Sequence, residues 1–65
     1  MAAELRSTVE GRTMVLTISN PEHRNALGPE MYAAGVEALN IAETNPDVRC
    51  VVLTGEGEVF CAGGN

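Results

Sequence analysis

A short run, Cys50-Val51-Val52-Leu53, constrains this chain more than anything else in it. Side chains alternate along a strand, so consecutive apolar residues put oily groups on both faces. A strand of that kind needs a layer on each side, the usual setting of a parallel sheet. One helix pattern lies upstream. Met31, Ala34, Ala38 and Ile41, flanked by Leu39 and Ala42, recur at three- and four-residue spacing, while Glu37, Asn40 and Glu43 face water. Gly28-Pro29-Glu30 marks its start, with proline near the first turn and an acid at the positive helix end, and Asn45-Pro46 marks its stop. Before it, Thr13 to Ile18 is rich in β-branched and apolar residues and reads as a strand. Ser19-Asn20-Pro21-Glu22 ends that strand, because proline offers no ladder donor. Strand, helix and strand then make a right-handed crossover between parallel partners. Leu5 to Val9 reads as a weaker first strand, joined through Glu10-Gly11-Arg12 in a hairpin. The expected class is α/β with the order ββαβ. Its helix covers one face of Cys50–Leu53, and more chain or a partner is expected to supply the other layer.

Composition narrows the function classes. The 65 residues include nine Asp or Glu against four Arg and no Lys, which argues against nucleic acid and anionic lipid as partners. Tyr32 and Phe60 are the sole aromatics, so a base-stacking platform is not expected. An apolar content of 45% is ordinary for a globular protein and argues against disorder. Cys50 and Cys61 lack the spacing of a disulfide framework or a zinc site, and are expected to be reduced thiols in a cytoplasmic setting, with no metal. The opening Met-Ala-Ala-Glu-Leu-Arg has no apolar core of a signal peptide. No apolar run approaches the ~20 residues needed to cross a bilayer.

Two loops stand out, each following a strand of the crossover. That is where open α/β sheets usually bind ligands. The first is Asn20-Pro21-Glu22-His23-Arg24-Asn25-Ala26-Leu27, and the second is Gly55-Glu56-Gly57-Glu58-Val59-Phe60-Cys61-Ala62-Gly63-Gly64-Asn65. Asn-Pro-x-x-x-Asn-Ala-Leu, then Val-Val-Leu-Thr-Gly-x-Gly, then Phe-Cys-Ala-Gly-Gly resembles the crotonase superfamily of enoyl-CoA hydratases and isomerases. The match runs in register over essentially the whole chain.

This resemblance implies a larger spiral fold of repeated ββα units, of which residues 1–65 would form the amino-terminal part of a single crotonase-like domain, commonly assembled as a homo-trimer or homo-hexamer. It implies an acyl-CoA thioester as substrate, with coenzyme A part of that substrate and no separate cofactor. Carried over by position, the backbone N–H of Gly64 is the first donor to the thioester oxygen. His23, Arg24 and Ala26 line the coenzyme A site, with Arg24 near phosphates and Ala26 near the adenine and pantetheine. Ala62, whose backbone also touches the adenine end, and Gly63 complete the substrate-binding set with Gly64. The acid/base carboxylates and a second donor are expected beyond residue 65. Where relatives commonly carry aspartate, this chain has Asn65.

The residue types suit that chemistry. Small residues at Ala62, Gly63 and Gly64 let a ligand approach the main chain. A fixed N–H aimed at developing negative charge needs little reorganisation, and arginine's planar fork matches phosphate. Plainer readings stand beside these: a flexible turn for Gly63-Gly64 and a solvated charge for Arg24, while His23 reads as a surface loop residue lining the coenzyme A site in preference to a catalytic base. Cys61 has no second histidine to activate it as a nucleophile and reads as a small buried residue. Gly55-x-Gly57 lacks the third glycine of a dinucleotide fingerprint. Glu22, Glu30, Glu37 and Glu43 read as solvated charges. The reading is an acyl-CoA-processing enzyme, enoyl-CoA hydratase first. Isomerase, dehalogenase, ring-opening hydrolase and decarboxylating relatives, a non-catalytic scaffold of the same fold, and a nucleotide-binding α/β domain stay open as alternatives.

Overall fold

In the computed structural model, residues 3–64 are described; Asn65 lies outside them. Strands β1 (Glu4–Glu10) and β2 (Thr13–Ser19) pair antiparallel with Glu10 opposite Thr13, leaving Gly11 and Arg12 as a two-residue hairpin loop. Gly11 takes φ +63° at the first loop position, the positive value that a type II′ hairpin requires there. Helix α1 (Pro29–Thr44) follows, and β3 (Cys50–Gly55) then pairs parallel with β2, so the sheet order is β1-β2-β3. The expected ββαβ architecture is present, each strand running a residue or two past its sequence-based limits.

Alternation on β2 decides where the core sits. Met14, Leu16 and Ile18 are buried on the helix side, while Thr13, Val15 and Thr17 are half-covered on the other. From the helix, Met31 and Ala38 reach this core, and Leu5, Ala42 and Val48 pack at its margin. Each large side chain fully buried in this way contributes about 1.5–3 kcal/mol.

The placement of α1 corrects one expectation. The helix lies over β1 and β2 instead of over β3. Val51, Val52 and Leu53 are consequently exposed on both faces of the edge strand, at 39%, 46% and 50%. Ile41 and Leu39 were expected within the buried stripe but are about half exposed, at 53% and 51%. The physical reason is size. Ala34, Gly35, Ala38 and Ala42 form the narrow side of α1, which lets the helix settle close to the hairpin and turns its bulky residues outward. Leu39, Val36 and Tyr32 instead border a wholly apolar groove with Val51 and Leu53. Among the described residues, no helix is long and apolar enough to cross a membrane.

Candidate active site

Because β2 and β3 are adjacent and parallel, the loops that leave them lie side by side at one end of the sheet. The first loop is built on two asparagines. After β2 the chain makes a single 3-10 turn, Pro21–His23, and then passes through left-handed backbone at Arg24 (φ 53°) and Asn25 (φ 63°). Asparagine tolerates that region better than most residues, whereas a non-glycine such as arginine carries a cost of order 1–3 kcal/mol. Hydrogen bonds offset it. The Asn20 N–H donates to Asn25 Oδ1 at 2.8 Å, and the Asn25 N–H donates back to the Asn20 carbonyl at 2.8 Å. Asn20 Nδ2 donates to the Ala26 carbonyl at 2.8 Å. Both asparagines are buried.

The same Asn25 reaches the second loop. Its Nδ2 donates to the carbonyls of Glu56 and Val59 at 3.0 and 2.6 Å. This loop begins where residues 59 and 60 fold back over Gly55. A Cβ there would lie 2.7 Å from Phe60 Cα and closer still to the Val59 and Phe60 carbonyl oxygens. Backbone cannot move aside as a side-chain tip can, so only glycine fits. Glu56 ties the loop to the opposite face of the sheet. Its carboxylate accepts from the Ser19 hydroxyl and from Arg6 Nη2 at 2.8 Å. The Ser19 hydrogen bond, then the Arg6 hydrogen bond and charge, hold this carboxyl below the ordinary glutamate range.

The far end of the second loop meets the first. The Leu27 N–H donates to the Gly63 carbonyl at 2.9 Å, an isolated parallel bridge between Leu27 and Gly64. Among the described residues, no acceptor is paired with the Gly64 N–H. Beside Gly64 stands the Tyr32 hydroxyl, 2.8 Å from where a Cβ would project. A cleft of about 410 Å³ opens here, lined by Asn20, Glu22, His23, Ala26, Glu30 and Gly64 among others.

Of the residues expected from sequence, the cleft brings together His23, Ala26 and Gly64. Arg24, Ala62 and Gly63 are exposed nearby but do not line it. Glu22 and Glu30, expected as solvated charges, do line it. An anionic group inside the cleft would therefore face two carboxylates, and Arg24 is accessible to one only from outside. Cys61 is half-buried, its sulfur accepting from the Gly63 N–H at 3.4 Å, a loop-shaping role.

Comparison with known proteins decides the family. A family profile described as enoyl-CoA hydratase/isomerase matches residues 8–65. The chain belongs to the enoyl-CoA hydratase/isomerase family. Among similar members, enoyl-CoA hydratase EchA19 of Mycobacterium tuberculosis is 45% identical over 53 residues, covering 82% of this chain and 20% of that protein. The 1,2-epoxyphenylacetyl-CoA isomerase of Escherichia coli is 44% identical over 57 residues, covering 88% of this chain and 22% of that protein. A crystal structure of an enoyl-CoA hydratase from Polaromonas sp. JS666 superposes with a TM-score of 0.90 at 71% identity, covering 95% of this chain and 24% of that one. The chain thus spans about a fifth of the length of these curated family members. The crotonase-type ββαβ arrangement expected from sequence is the one that crystal structure shares.

Sequence reasoning missed three contributors. Asn25 was read as part of a motif, although asparagine's ease in left-handed backbone was a usable signal for a loop clamp. Glu56 stands in the second loop's sequence without a role, because no local signal pairs it with Ser19 and Arg6. Tyr32 was counted as an aromatic and placed on the helix without a role, since no spacing rule brings residue 32 to residue 64.

Proposed function

We propose that this chain supplies the first half of the thioester site of an acyl-CoA-processing enzyme, with enoyl-CoA hydration as the reaction. The observation that carries the reading is the Gly64 N–H. Its neighbour's carbonyl is engaged by Leu27, which fixes the peptide, while the N–H itself is left for a ligand at the wall of the cleft. A donor fixed before the reaction suits an oxygen whose negative charge grows as water adds at C3 of a 2-enoyl thioester and the enolate forms. The acid and base that deliver water and return a proton to C2 belong to other parts of the full-length protein. His23 and Ala26 line the ligand's path, and Arg24 meets coenzyme A phosphates from outside the cleft. Ala62 and Gly63 keep the approach to the main chain open. The full-length protein is read as cytoplasmic and as a homo-trimer or homo-hexamer.

A second reading within the same family is isomerisation, favoured by the similarity to an acyl-CoA isomerase. Both need the same donor. Hydration consumes the conjugated enoyl chromophore of a 2-enoyl-CoA, whereas isomerisation of a 3-enoyl-CoA creates it, so one ultraviolet assay separates them. In the full-length protein, Gly64→Pro removes the N–H and is expected to lower kcat by about 10²–10³-fold. Oligomer size and circular dichroism must match wild type for that result to count. Turnover near wild type in a correctly assembled proline variant would overturn the donor assignment.

A further inference from the structure

We propose that Asn25 is a positioning residue for catalysis, the clamp that sets the second loop, and with it the Gly64 N–H, against the first. The inference rests on the function proposed above and assigns a residue that touches no substrate. Its two amide atoms act on different loops. Oδ1 accepts from the Asn20 N–H and holds the first loop, while Nδ2 donates to Glu56 and Val59 carbonyls and holds the second. At the other end of the second loop the attachment is Leu27 to Gly63. Between these anchors the loop's own bonds, among the described residues, are the contacts of Cys61 sulfur with Gly63. Gly57 and Gly63 at φ +82° and +119° add no side chain to stiffen it. A loop with so little internal structure takes its position from its anchors. At 3% exposure, the Asn25 bonds are shielded from competition by water.

Asn25→Asp separates the two functions of the side chain. It keeps the Oδ1 acceptor for Asn20 and tolerates left-handed backbone, but it replaces the donor with an oxygen facing two carbonyl oxygens. Two measurements on the full-length protein test the proposal. Hydrogen exchange should accelerate by about tenfold or more at amides of residues 57–64, and stay within about twofold in β2 and β3. In steady-state kinetics with a 2-enoyl-CoA, kcat should fall about 10- to 100-fold with KM changing less than about threefold, the pattern of a lost transition-state interaction.

A double-mutant cycle distinguishes positioning from plain destabilisation. In the Gly64→Pro background, where the donor is already gone, Asn25→Asp should cost less than about threefold further. Full additivity, or unchanged exchange in the second loop, would overturn the proposal. If the aspartate variant does not fold, Asn25→Gly keeps the backbone conformation and loses both sets of bonds, and the same outcomes apply. A full-length wild type that transforms no enoyl-CoA would sink the functional reading, while the exchange measurement still decides whether Asn25 clamps the loop.

Discussion

The two loops at the end of this sheet are ordered by opposite means. The first, residues 20–28, carries its own fastenings: two buried asparagines exchange bonds across a 3-10 turn, and its strain is offset within a few residues. The second, residues 56–64, borrows its order. Its start is held by Asn25 of the first loop and by Arg6, Ser19 and the Ile18 carbonyl of the hairpin, and its end by Leu27. Of its own it brings the contacts of the Cys61 sulfur with Gly63 and three glycines, Gly57, Gly63 and Gly64. The difference teaches where sequence can be changed: first-loop function is vulnerable at side chains, second-loop function at places where a side chain would be added.

The largest effect expected from that contrast is at Gly55. An added methyl meets backbone of residues 59 and 60, so Gly55→Ala must push the loop outward and break the Asn25 bonds to Glu56 and Val59. Overpacking typically costs about 1–3 kcal/mol, and rigid backbone on the receiving side places this case at the top of that range. Chemical denaturation of the full-length protein should show it. A loss under ~0.5 kcal/mol would mean the second loop is freer than its contacts indicate, and the contrast between the loops would weaken.

Gly64→Ala comes next and sharpens the contrast, because its obstacle is a side chain. Tyr32 Oη lies 2.8 Å from the added Cβ, but it is the tip of a half-exposed ring that can swing away. A kcat loss of several-fold is expected, equivalent to about 1 kcal/mol. Tyr32→Phe in the same chain removes the obstructing atom and should restore turnover to within about twofold, a coupling that independent sites would not show. Alanine is therefore a clean steric control for proline only in the phenylalanine background. An unrescued double variant would assign the alanine defect to the loop's own backbone.

Much of this was legible in the residues, for identifiable reasons. β-branched and apolar enrichment marked β2, and proline with glycine punctuation marked α1, because both are local signals. The position of α1 across the sheet was not local. It follows from Ala34, Gly35, Ala38 and Ala42 making a thin helix side, and a spacing count that includes Ile41 and Leu39 as apolar cannot see thickness. In the site, the small residues at 62–64 directed attention to Gly64, which lines the cleft. Arg24 announced a charge but not its location outside the cleft, which depends on a left-handed turn. Clamps such as Asn25 to Val59 join residues 34 apart in sequence, and only the parallel pairing of β2 with β3 brings them together.

The smallest expected effect tests the hairpin's share in holding the second loop. Glu56 is held below the ordinary glutamate range by Ser19 and Arg6, so folding favours its ionised form. The sign follows from linkage. The unfolded state binds this proton more readily than the folded one, so the stabilisation is complete above the unfolded value of about 4.3 and is lost as pH falls through the lower folded one. In Glu56→Gln that dependence vanishes. The stability difference between wild type and variant should be flat above pH ~5.5 and shrink steadily below pH ~4.3. Both partners are about half exposed, so added salt should reduce the difference across the whole range. If the two pH profiles run parallel down to pH ~3, the Arg6 and Ser19 contacts contribute no measurable stability. Asn25, Leu27 and the backbone bond from the Glu56 N–H to the Ile18 carbonyl would then hold the second loop without help from hairpin side chains.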